Sequence, residues 1–137
     1  MRILGPVTVV GDYRKLEIGE GSRLNPGVVL NMWERLTIGR DVHVSSRAQL
    51  VTATIVPDVV PRIHEGAPIT IGDHAWIAAG AVVTSGVTVG ARAVVAANSV
   101  VTEDVAPDTL VAGSPAKPVR TLDVGEPRPA VAGDGSG

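Results

Sequence analysis

Three histidines, His43, His64 and His74, are the side chains of this sequence best suited to move a proton near neutral pH. They lack metal-ligand spacing, and a chain without cysteine has no thiolate nucleophile, disulfide or Cys-based metal site, so no metal is expected. His64 lies in a stretch interrupted by prolines, VPDVVPRIHEGAP from Val56 to Pro68, and a loop on a rigid scaffold is where sites tend to sit. His43 reads as a corner residue on the outer surface, suited to a subunit interface. His74 reads as a turn residue with positive φ. Trp33, with Met32 and Ile55, either lines an apolar pocket or is buried between subunits. Trp76 either contacts a ligand or covers a corner against a neighbouring subunit.

These side chains are carried by a period of six. Ile71, Ile77, Val83, Val89, Val95 and Val101 are the first members of consecutive hexads, all aliphatic. The fourth members, His74, Gly80, Gly86, Arg92, Asn98 and Asp104, are rich in types that tolerate positive φ, and the fifth, Ala75, Ala81, Val87, Ala93, Ser99 and Val105, are small. Apolar residues six apart rotate round a 3.6-residue helix, so an amphipathic helix is excluded. A short parallel strand with one inward aliphatic and a turn in every hexad meets all the columns, and three hexads close one triangular coil. The predicted fold class is therefore all-β, a prism of stacked coils.

Earlier in the chain, hexads begin at Ile18, Leu24 and Leu30 and resume, after extra residues around Met32 to Leu36, at Ile38, Val44 and Leu50. Residues 1–17 are expected to form an irregular first coil. A corner loop is expected at 56–68, because Pro57, Pro61 and Pro68 cannot donate to a ladder. One domain, 1–120, ends with the segment 106–120, and residues 121–137 have the Pro/Gly-rich composition of a tail. A net charge of −2 with scattered Lys and Arg gives no electrostatic case for nucleic acid. Nothing in the sequence resembles a leader or a membrane-spanning run, so a cytoplasmic protein without membrane contact is expected.

The runs ITIGDHAWIAAGAVV and GVTVGARAVVAANSVVTEDVAPDTLVAGSPAKPVR, ending at Arg120, closely resemble the left-handed parallel β-helix of hexapeptide-repeat acyltransferases, nearest the maltose, galactoside and capsular O-acetyltransferase branch. The resemblance covers roughly Ile18 to Arg120. It implies a left-handed coil, a homotrimer with sites between subunits, acetyl-CoA or another acyl-CoA as co-substrate, and a histidine base at the corner before the long loop. Counted along the matching columns, that position is held by Ile55, which carries no proton. His64, folded back towards Ile55 by the inserted loop, is the candidate replacement. Asn25 matches the family's substrate-contacting asparagine, or keeps a structural place in its hexad column. Trp33 stands where sugar transferases keep an acceptor-binding aspartate, and Glu103 where a lysine near the coenzyme is common. Ala79, Ala97, Thr102, Arg120 and Trp76 match cofactor-side positions.

The expectation is acyl transfer to a hydroxyl or amine of a small, relatively apolar acceptor, from a degenerate or rewritten site. The alternatives are a scaffold turned to a different small-molecule reaction in an apolar pocket of Ile55, Trp33 and Trp76, and a non-catalytic trimeric binding protein.

Overall fold

Each hexad turns one aliphatic side chain towards an axis, and in the computed structural model, which describes residues 2–125, the hexads stack as three parallel sheets around it. One sheet, the Trp76 face, contains Arg2–Ile3, Arg23–Leu24, His43–Val44, Trp76–Ile77, Val94–Val95 and Thr109–Gly113. A second contains Thr8–Gly11, Val29–Met32, Gln49–Val51, Val82–Val83 and Val100–Val101, and the third contains Leu16–Ile18, Leu36–Ile38, Ile69–Ile71 and Thr88–Val89. The all-β parallel helix expected from the period is the fold observed.

The register follows the hexads. Ile71 lies beside Val89, Ile77 beside Val95 and Val83 beside Val101. The columns continue across both interruptions, with Ile18 beside Ile38 and Ile38 beside Ile71, Leu24 beside Val44 and Val44 beside Ile77, Leu30 beside Leu50 and Leu50 beside Val83. From Leu24 onward these inward side chains are buried, and they form the interior of the prism. The small fifth-column residues are buried with them, because a larger side chain there would meet the coil interior. His74 has φ 60° and Arg92 φ 60°, the left-handed backbone the turn column demands. Asp104 departs from that column: its carboxylate accepts from the Thr88 N–H at 2.8 Å, and the left-handed residue falls at Asp108 instead.

The ends and the interruptions differ from the regular coils. Residues 2–18 make one further coil, stacked in parallel on the next through Arg2–Ile3, Thr8–Gly11 and Leu16–Ile18, with a short 3₁₀ turn at Tyr13–Lys15. At the other end Thr109–Gly113 adds to the Trp76 face and Ala116–Thr121 returns antiparallel beside it. Of the predicted tail, residues 121–125 are described and 126–137 lie outside the described residues.

The expected corner loop is a β-hairpin. Ala53–Val56 pairs antiparallel with Ile63–Gly66, forming a separate two-stranded sheet that begins before the predicted start at 56. Pro57 and Pro61 fall in the tip between the paired strands and Pro68 falls beyond them, so none removes a donor from the pairing.

Candidate active site

Hydrogen bonds at Thr52 hold the hairpin base against the earlier insertion, and one from Lys15 ties that insertion to the first coil. The buried Thr52 hydroxyl donates to the Asn31 carbonyl at 2.8 Å and accepts from the Glu34 N–H at 3.0 Å, while the Thr52 carbonyl accepts from the Ala67 N–H at 3.1 Å. The Lys15 ammonium donates to the Trp33 carbonyl at 2.6 Å. Gly66 leaves no room at the hairpin base: a Cβ there would lie 2.8 Å from the Thr52 carbonyl oxygen.

On that base the chain assembles Trp33, Ile55 and His64. Ile55 and His64 are directly opposed across the hairpin, and the imidazole stacks on the Trp33 indole with ring centroids 5.5 Å apart and planes 13° from parallel. His64 is exposed, and Trp33 and Ile55 are 51% and 50% exposed, so the cluster presents an apolar surface with one imidazole in it.

A second constellation lies on the Trp76 face. Asn25, His43, Ser45, Trp76, Ala79 and Ala97 line one open groove of about 730 Å³, whose floor is mostly apolar. Alternation explains the lining: Val44 and Ile77 point inward, so His43 and Trp76, paired side by side, point out. The Trp76 indole N–H donates to the Ser45 hydroxyl at 2.9 Å, which fixes the ring over the groove. Asn25 Oδ1 and His43 Nε2 are both buried without a hydrogen-bond partner among the described residues. Burial, and secondarily the charge of Arg23, holds the His43 imidazole below the usual histidine range, so it is neutral at pH 7. His43 is thus a strand residue facing a groove, not a corner residue.

The remaining predicted positions lie elsewhere. Arg120 stands opposite Leu110 on the antiparallel return and borders a neighbouring concavity with His74, Trp76 and Arg92. Thr102 is exposed at a corner after the second face and does not line the groove. Glu103 lies 3.6 Å from the Lys117 ammonium, so its negative charge is partly offset. The apolar pocket of Trp33, Ile55 and Trp76 is not assembled within one chain: the first two belong to the hairpin cluster and Trp76 to the groove. Ser45, Thr52, Gly66 and Lys15 were missed as positioning residues. The Trp76 to Ser45 bond follows from coil register, since Trp76 stacks on His43 two positions before Ser45.

The family model described as Bacterial transferase hexapeptide (six repeats) matches residues 68–103. The crystal structure of a hexapeptide-repeat containing acetyltransferase from Vibrio cholerae, complexed with acetyl coenzyme A, superposes with a TM-score of 0.82 at 37% identity, over 89% of this chain and 72% of that one. The chain belongs to the hexapeptide-repeat acyltransferase family. With that membership comes the left hand of the coil. A protein of Dictyostelium discoideum bearing an acetyltransferase name is 40% identical over 124 residues, which is 88% of this chain and 65% of that protein. The galactoside O-acetyltransferase of Escherichia coli is 30% identical over 129 residues, 77% of this chain and 64% of that enzyme. The chain spans between 44% and 65% of the length of the curated relatives it matches first. Among the described residues no helix is long and apolar enough to cross a membrane, and no cluster of His, Cys, Asp or Glu is arranged to hold a metal ion.

Proposed function

We propose that this protein transfers an acetyl or other acyl group from acyl-CoA to a hydroxyl or amine of a small, relatively apolar acceptor, with His64 as general base. The observation that carries this is the placing of His64 directly across the hairpin from Ile55 and flat against Trp33. Opposed side chains in an antiparallel pair are only about 5 Å apart at Cβ. An imidazole on the strand opposite Ile55 therefore serves nearly the same point in space as one at Ile55. The site is then rewritten in sequence but not emptied of its base.

In the reaction the His64 imidazole takes the acceptor's proton as its oxygen or nitrogen attacks the thioester carbonyl carbon. The tetrahedral intermediate collapses with cleavage of the C–S bond, and the imidazolium returns the proton to the departing CoA thiolate. Relatives bound to acetyl coenzyme A support acyl-CoA as the donor. The groove floor of Ala79 and Ala97 beside Trp76 is apolar, as an extended thioester arm requires, with Arg120 further along the same face. Thr102 stands outside that groove as a weaker candidate for cofactor contact.

Because the hairpin cluster and the Trp76 groove are separate in one chain, a homotrimer that seats the hairpin of one protomer on the groove of the next completes the site. The protein works in the cytoplasm, where acyl-CoA is available.

The test is release of CoA thiol from acetyl-CoA in the presence of candidate acceptors, with calorimetry for acetyl-CoA and sedimentation for the trimer. His64→Ala is expected to lower turnover by about 10²- to 10⁴-fold with acetyl-CoA affinity and trimer unchanged. Full activity in that variant removes His64 from the mechanism, and a monomer removes the shared site. Failure to bind acetyl-CoA removes acyl transfer itself.

A further inference from the structure

The acyl-transfer reading leaves the acceptor undefined, and the N-terminal end of the Trp76 face narrows it. Successive coils set Arg2 beside Arg23, Arg23 beside His43 and His43 beside Trp76 on the outer surface. Arg2 and Arg23 are exposed and directly adjacent. Like charges directly opposed on a sheet destabilise it, and a surface normally dilutes such a pair with carboxylates.

That dilution is found at five other basic positions. Arg14, Arg35, Arg40, Arg92 and Lys117 each lie within 4.0 Å of an Asp or Glu oxygen, whereas among the described residues Arg2, Lys15, Arg23, Arg47, Arg62 and Arg120 do not, and of these only Arg2 and Arg23 stand side by side on neighbouring strands. Next to this uncompensated pair, at the near end of the apolar groove, lie the two buried polar atoms without partners, Asn25 Oδ1 and His43 Nε2. A cationic pair, then unmet polar atoms, then an apolar floor under Trp76 is an ordered set of contacts for a molecule with an anionic end and a polar reacting group.

We propose that the acceptor carries an anionic group, carboxylate or phosphate, which Arg23 binds with Arg2 beside it, placing the acceptor's hydroxyl or amine at Asn25 and His43. The guanidinium fork suits both anions, because it offers parallel N–H donors to two oxygens. This amends the acyl-transfer reading by giving the acceptor one charged end, so that only the part over the groove floor is apolar, and it rests on that reading for the word acceptor but not for the anion site.

Matched pairs test it: hydroxy acids against their primary amides, and sugar phosphates against the parent sugars. Each pair is measured for turnover with acetyl-CoA and for binding by calorimetry. The charged member is expected to be favoured by about tenfold or more, in the hydroxy-acid arm if the anion is a carboxylate and in the sugar-phosphate arm if it is a phosphate. Arg23→Gln should abolish the preference by raising KM for the charged member, with the neutral member, acetyl-CoA affinity and trimer unaffected. The proposal is overturned if no charged member binds or reacts better than its neutral twin. It is equally overturned if Arg23→Gln weakens both members alike or dissociates the trimer. Loss of acetyl-CoA binding alone would defeat acyl transfer, and calorimetry on the pairs would still decide the anion site.

Discussion

The regular coils from Ile69 to Val101 and the interrupted coil that carries the hairpin are built from the same chain under opposite demands. In the regular coils the first member of every hexad is aliphatic and buried, and from Trp76 onward each strand contributes only a pair of residues to its sheet. At the interruptions three large apolar side chains are instead left to solvent: Trp33, Ile55 and Ile63 are each about half exposed, at 51%, 50% and 52%. A solenoid interior tolerates no insertion, whereas its corners accept one at little cost. The difference teaches that the two regions divide their tasks by period: what repeats holds the prism together, and what departs from the period carries the base of the proposed reaction.

The largest effect that sharpens this division is expected in the interior. Ile77 is fully buried between Val44 and Val95, so Ile77→Asp places an unpaired charge in the core and should destabilise the protein by about 4 kcal/mol or more. Denaturant unfolding checks it. Ile55→Ala, on the exposed hairpin, should shift the same transition by less than about 0.5 kcal/mol, and an equal loss in both would break the division.

A smaller effect is expected at the junction of the two regions. In Gly66→Ala the new methyl meets the Thr52 carbonyl, a backbone group that cannot swing aside, so the hairpin base must shift. Turnover should fall by about 10- to 100-fold, while the unfolding midpoint changes far less than for Ile77→Asp. Unchanged turnover would mean that the hairpin's position is not part of the site.

The smallest effect concerns pH. The proton affinity of His43 is lowered in the folded state, first by burial and then by Arg23, so folding favours the neutral ring. Its contribution is present above the ordinary histidine value near 6.5 and is lost as pH falls from there through the lower folded value. His43→Gln should flatten stability against pH in that window, measured by denaturant melts between pH 7 and 5 (roughly the range of histidine titration).

Much of the prism was legible in the sequence because its physics is periodic. Inward aliphatics, small fifth members and left-handed turn residues are each a column, and columns can be counted. The hairpin was not, because Pro57 and Pro61 read as breaks in a ladder, whereas they mark the tip between two paired strands. His43 was read as a corner residue because the insertion before it blurs the phase of its hexad, and only its pairing with Arg23 and Trp76 restores it to a strand. Neighbourhood on a face joins residues from different coils, as with Arg2 and Arg23, and only the observed register reveals it.

With His64 as the proposed base, its opposition to Ile55 has an evolutionary reading. A proton-accepting ring can exchange strands with an aliphatic neighbour, changing its address along the gene while hardly changing its address in the cleft. On that proposal the double exchange, with the ring returned to 55 and the aliphatic moved to 64, would be a short mutational path between two versions of one catalyst. Members of the family that lack a histidine where counting expects it can therefore be searched on the facing strand before they are classed as inactive.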